Sequence, residues 1–118
     1  MSHTTIWIDH QHTYLFEFTA KGVEEKKMEG NAANDKEHLK KFYHEVATAI
    51  GAPDQLLIVG PGTAKDEFKH HCETHNHPAL AKKIVGTEIM KSHPRKSEIL
   101  AVSRKFFDHH FAWHNSDV

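Results

Sequence analysis

The sequence predicts a single α/β domain built on a mixed five-stranded sheet with helices packed against it. Three observations point there. The first 28 residues hold three short runs of alternating or β-branched residues, separated by turn residues. An unbroken aliphatic run, Leu56-Leu57-Ile58-Val59, stands between two stretches of helical apolar spacing. The resulting order, β-β-β-α-β-α-β-α, puts leading antiparallel strands before later crossover strands.

Each element follows in turn. Residues 5–9, Thr-Ile-Trp-Ile-Asp, alternate and form the first strand. Gln11-His12 is a polar break, and residues 13–19 make a second strand joined by a tight hairpin. Ala20-Lys21-Gly22 turns the chain into a third strand, residues 23–28. Its heavy charge places it at a sheet edge, where charges block unwanted pairing; a homodimer would form through that same edge. Asn34, with Glu37 three residues on, gives the capping-box signature of a helix. Leu39, Phe42, Tyr43, Val46 and Ile50 supply its apolar stripe, and Gly51 and Pro53 end it. Leu56 to Val59 form a buried central strand, and Gly60-Pro61-Gly62 turns out of it. Thr63 and Asp66 predict a capping box for a helix over 64–74. Pro78 breaks that pattern, residues 80–83 add a helical turn, and 84–90 are the fifth strand. After His93-Pro94, Ser97 caps a last helix that carries Ile99, Leu100, Val102, Phe106 and Phe107. Residues 113–118 read as a flexible tail.

Composition narrows the function classes. A chain of 118 residues fits one domain and can bury a core without staples. Cys72 is the one cysteine, which excludes an internal disulfide and a four-cysteine zinc site. Residues 1–9 lack the basic start and apolar core of a signal peptide. No apolar stretch approaches the roughly 20 residues that span a bilayer, so no membrane partner is expected and a cytoplasmic address follows by elimination. Net charge is −1 with histidine neutral, yet there are 13 histidines, so mild acidification should make the chain markedly cationic.

One stretch carries a family resemblance. The run Leu57-Ile58-Val59-Gly60-Pro61-Gly62-Thr63-Ala64-Lys65-Asp66-Glu67-Phe68 resembles a strand-turn-helix signature in the middle domain of archaeal and eukaryotic class-1 peptide-release factors and Pelota-type rescue factors. Leu80-Ala81-Lys82-Lys83-Ile84-Val85-Gly86 resembles the next part of that domain, and Ile6-Trp7-Ile8-Asp9 with its hairpin fits the start. The likeness extends over roughly residues 5–107 and is nearest to short bacterial single-domain relatives termed translational machinery proteins. It implies a ribonuclease H-like sheet, a single domain over residues 1–112, and association with the ribosome or ribosomal RNA. In release factors, a long loop between the third strand and first helix carries Gly-Gly-Gln into the peptidyl-transferase centre. Here the interval is Gly30 to Asn34, without glutamine, and flanking domains that read stop codons are not expected. The resemblance therefore implies a non-catalytic translation-related role, with no catalytic residues and no cofactor.

Four candidate sites remain to be weighed. Residues 82–105 hold seven Lys or Arg against Glu88 and Glu98, a local charge of +5. Lys82, Lys83, Lys91, His93, Arg95, Lys96, Arg104 and Lys105 are therefore the candidate RNA-binding set, contacting mainly phosphates. Compensating acids cluster at Glu24, Glu25, Glu29 and Asp35. A second candidate is an anion site at the helix start after Gly62 and Thr63, with Lys65 beside it. The third is a transition-metal site in the constellation His70, His71, Cys72, His75 and His77: His71 and His75 stand four apart on one helical face, with Cys72 and His77 available to complete it. It would make this a histidine-rich metal-binding protein; the competing reading packs Cys72 inward as a small apolar residue. The last is a metal-dependent nuclease, which needs several carboxylates around ions about 3.5–4 Å apart. Asp9 and Glu45 would serve, but the fourth strand ends without a carboxylate and the last helix offers only Glu98 and Asp108. The set is incomplete, and Asp9 reads better as a turn residue.

Overall fold

The structure is a computed structural model that describes residues 2–30, 35–75 and 77–110, with the backbone alone for 108–110. The strands are β1 (His3–Ile8), β2 (His12–Thr19), β3 (Gly22–Glu29), β4 (Gln55–Gly60) and β5 (Ile84–Ile89). The helices are α1 (Lys36–Ile50), α2 (Ala64–Thr74), the single turn α3 (Pro78–Ala81) and α4 (Lys96–His110). They make one five-stranded sheet in the order β3-β2-β1-β4-β5. β1 pairs antiparallel with β2, and β2 with β3, while β1–β4 and β4–β5 are parallel. This is the mixed α/β sheet that the sequence predicts.

Period-two alternation along the central strands decides where the helices go. Ile6, Ile8, Leu56 and Ile58 face one side, where α1 brings Phe42, Tyr43, Val46, Ala47 and Ile50, and α2 brings Phe68 and Cys72. Trp7, Leu57 and Val59 face the other, where α4 lays down Ile99, Phe106 and Phe107. β1 and β4 are thus covered on both faces and read as continuous apolar or threonine-rich runs. Each large apolar side chain fully buried this way contributes about 1.5–3 kcal/mol. β3 is exposed along nearly its whole length and forms one edge, as its charge predicts. Gly60 is required by close approach, since a Cβ there would collide with the Ile8 carbonyl oxygen.

The helix starts differ from the sequence reading. Asn34 lies outside the described residues; the cap of α1 is Asp35, whose Oδ1 accepts the His38 N–H at 2.9 Å. Thr63 precedes α2 but has helical backbone angles (φ −87°, ψ −11°), which turn its hydroxyl away from the helix N–H groups. It donates instead to Glu67 Oε2 at 2.9 Å, so no Thr63–Asp66 box forms. Ser97 lies inside α4; Arg95 stands at the cap, and its N–H donates to Glu98 Oε1 at 2.7 Å, half of a capping box. Pro78 starts a helical turn because proline at a first helical position loses no hydrogen bond. Residues 113–118 lie outside the described residues. Among the described residues, no helix is long and apolar enough to cross a membrane.

Candidate nucleic-acid interface and histidine cluster

The eight basic candidates are all exposed. Lys82 and Lys83 lie between α3 and β5, and Lys91, His93 and Arg95 follow β5. Lys96 opens α4, with Arg104 and Lys105 further along it. β5 separates the first pair from the 91–96 loop by six residues, about 20 Å of strand. That loop is held firmly. The Trp7 indole N–H donates to the Lys91 carbonyl at 3.1 Å, anchoring it to the buried strand β1. Lys91 Nζ lies 2.8 Å from Glu98 Oε2, and Lys96 Nζ lies 3.3 Å from Glu25 Oε1 on β3. Hydrogen bonds from the Lys91 ammonium and then the Arg95 backbone hold the Glu98 carboxyl below its usual range. Two of the cations thus already face carboxylates. Lys82, Lys83, Arg95, Arg104 and Lys105 stand outside the ion pairs of the described residues.

The nuclease candidates form no group of three converging carboxylates among the described residues. Asp9 Oδ1 accepts the N–H groups of Gln11 at 2.8 Å and His12 at 2.6 Å, the turn role expected from its position. Glu45 is exposed on α1, Glu98 is tied to Lys91, and the Asp108 side chain lies outside the described residues. At the α2 start, the buried Lys65 ammonium donates to the Gly62 carbonyl and lies 3.6 Å from Asp66 Oδ2. Glu67, which no sequence-predicted site includes, gathers three partners. It accepts from the Tyr43 hydroxyl at 2.9 Å and from the Thr63 hydroxyl at 2.9 Å, and it lies 3.2 Å from His10 Nε2. Burial would raise its carboxyl, but the hydrogen bonds from Thr63, Tyr43 and His10 outweigh it and the net shift is downward. Burial, then Glu67, pushes the Tyr43 phenol well above its ordinary value.

The histidines rearrange more than any other candidate. Cys72 is fully buried against the sheet, in line with Ala64 and Phe68 on the inner face of α2. Burial pushes its thiol up to about 12, which disfavours the thiolate a metal needs. His71 is also buried, at 5% exposure, edge-on to Tyr43 with ring centroids 5.9 Å apart. His75 stacks on His71 at 4.7 Å with rings nearly parallel (8°). The ring nitrogens that converge belong to His71, His77 and, from outside the sequence-predicted cluster, His44. His44 Nδ1 on α1 lies 3.0 Å from His77 Nε2, just before α3. One nitrogen each from His44, His71 and His77 lie within 4.8 Å of one another, the one such group of three among the described residues. His71 Nε2 is buried without a hydrogen-bond partner. Burial, followed by the neighbouring His75, His77, His44 and Lys40, pushes the His71 imidazole down to about 4. His77 is lowered by burial, then by His44 and His75. A groove of about 480 Å³ lined by Glu37, Lys40, Lys41, His44, His71 and His75 opens here.

Comparison with known proteins sets the scaffold in context. No protein-family model and no curated protein matches the chain. Solved structures do. Pelota of Archaeoglobus fulgidus aligns with a TM-score of 0.71 and 22% identity over 92% of this chain and 32% of that one. The archaeal translation termination factor aRF1 aligns at 0.64 with 16% identity over 88% and 34%. Dom34 of S. cerevisiae, a translation termination-like factor involved in RNA quality control, aligns at 0.59 with 11% identity over 98% and 40%. This chain has the fold of their middle domain. It spans about a third of the length of the Pelota and aRF1 chains.

Proposed function

We propose that this chain is a non-catalytic, ribosome- or RNA-associated protein of translation that keeps the release-factor scaffold without the hydrolytic arm. One observation carries the reading: the fold follows Pelota over 92% of the chain, yet β3 and α1 are joined by residues 30–35 alone, without a glutamine. The two glutamines present are Gln11 and Gln55, and neither follows a glycine pair. A six-residue connection has neither the reach nor the amide for entry into a peptidyl-transferase centre. The cytoplasm is the compartment in which such a protein would work.

The surface that fits a phosphate backbone is Lys82, Lys83, Arg95, Arg104 and Lys105, with Lys91, His93 and Lys96 in the loop beside Arg95. Contacts of this kind displace condensed counterions, so binding falls steeply with salt. The charged edge β3 is the surface through which a homodimer would pair. The test is co-sedimentation of the tag-free protein with ribosomes over a salt series. We expect binding at low salt. Replacing Lys82, Lys83, Arg104 and Lys105 by serine should reduce the slope of log affinity against log salt by about 3. Failure to pellet with ribosomes at low salt, or an unchanged slope in the quadruple variant, overturns the reading.

A further inference from the structure

We propose that His44, His71 and His77 form a site for one divalent transition-metal ion of the zinc class, held by three imidazole nitrogens with a fourth position open to the groove between α1 and α2. The three ligands come from α1, α2 and the segment entering α3, so their convergence is a product of tertiary packing. The geometry is near what an ion requires. Zinc–nitrogen bonds of about 2.0–2.1 Å in a tetrahedron set neighbouring ligand nitrogens about 3.3 Å apart. His44 Nδ1 and His77 Nε2 stand at 3.0 Å. The widest separation in the group is 4.8 Å, which a shift of about 1.5 Å in ring position closes.

A second observation is independent of the spacing. His71 is 5% exposed and its Nε2 has no hydrogen-bond partner. A buried polar atom left unsatisfied is uncommon and costs stability, and an ion would supply its missing partner. Three neutral imidazoles suit zinc, copper or nickel. The chemistry also separates members from bystanders. Cys72 points into the core with Phe68, away from the helix surface that bears the histidines. His75 stacks flat on His71, and its ring nitrogens are not among those that converge. Lys40 and Lys41 line the groove beside the site, which favours water or a small anion in the fourth position.

The probe is the metal alone, titrated as zinc chloride by calorimetry and cobalt chloride by absorption into tag-free, full-length, chelator-stripped protein. We expect one equivalent bound, with the intense visible bands of tetrahedral cobalt and no thiolate charge-transfer band. His44→Ala and His77→Ala should each weaken binding by about 100-fold or more, since even groups one shell out from a metal are worth 10–100-fold. His44 is exposed and His77 only partly buried, so both variants should keep the parent circular dichroism. His75→Ala should bind like the parent. Absence of stoichiometric uptake by the parent overturns the site. Unchanged uptake by the His44→Ala/His77→Ala double variant does so too, as does loss of uptake in His75→Ala.

Discussion

The two outer surfaces of this molecule use their charged and titratable residues in opposite ways. Along β5 and α4, cations that are neighbours in sequence are partly engaged in local structure: Lys91 pairs with Glu98 and Lys96 with Glu25. Across α1 to α3, histidines up to 33 residues apart are brought nitrogen to nitrogen. Linear density therefore overstates the first surface and understates the second. Free charge and convergent geometry are both settled by which residues the packing sets opposite one another.

The largest effect that separates the two sides lies beneath them. Phe68 is fully buried where α1 and α2 meet the sheet, whereas Phe106 retains 9% exposure beneath the single helix α4. Phe68→Ala should cost about 3–5 kcal/mol in urea unfolding, and Phe106→Ala should fall at or below the lower end of that range. An equal or greater loss at Phe106 would mean that one helix secures its face as well as three secure the other. Gly86 complicates relaxation there, because a Cβ on it would lie 2.8 Å from the Phe106 ring. Gly86→Ala should therefore destabilise the parent more than it destabilises the Phe106→Ala variant, a coupling that a double-mutant cycle measures.

The next effect sharpens the contrast between engaged and free cations. Lys91→Ser/Lys96→Ser should change the salt slope of ribosome binding by less than about 1, far less than the quadruple variant at Lys82, Lys83, Arg104 and Lys105. The same double variant should leave the urea midpoint nearly unchanged, since both ion pairs are largely exposed and screened by solvent. Equal slope changes in the two variants would show that the Glu98 and Glu25 pairings open on binding.

How much of this was legible in the sequence follows the same division. The strands were legible because alternation survives in Ile6-Trp7-Ile8 and Leu56 to Val59, and each half of that pattern meets its own helix layer. Helix starts were less so. Asp35 displaced Asn34 by one position, and Thr63 found Glu67 in place of a helix N–H. Competing acceptors one residue apart carry no distinguishing signal in a single chain. The 71–75 histidine spacing was visible as one helical turn, but parallel stacking at that spacing sets the two rings side by side. His77 was visible in the local histidine cluster, but His44 had no local signal, since only the docking of α1 against α2 brings it to His71 and His77. Cys72 could have been assigned inward from its i, i+4 relation to Ala64 and Phe68.

The smallest effect concerns Glu67, where the hairpin, α1 and α2 meet through one carboxylate. Its partners hold the charged form, so its folded value lies below the unfolded one. Between those values the unfolded chain binds more protons than the native one, and stability rises with pH. The Glu67 contribution is thus complete above the ordinary glutamate range and is lost as pH falls through the depressed folded value. Asp35 and Glu98 are lowered in the same direction, so the parent alone cannot assign the acid limb. Comparing the parent with Glu67→Gln isolates it: glutamine keeps a carbonyl for Tyr43 or Thr63 but does not titrate. Urea midpoints measured from pH 6 to pH 2 should fall less steeply in the variant, and the two curves should converge at the acid end. Tyr43→Phe should give an intermediate slope, because it removes one of the hydrogen bonds that favour the carboxylate. Parallel curves for the parent and Glu67→Gln would mean that the junction of hairpin and helices depends on packing alone, with its polar bonds contributing equally in either protonation state.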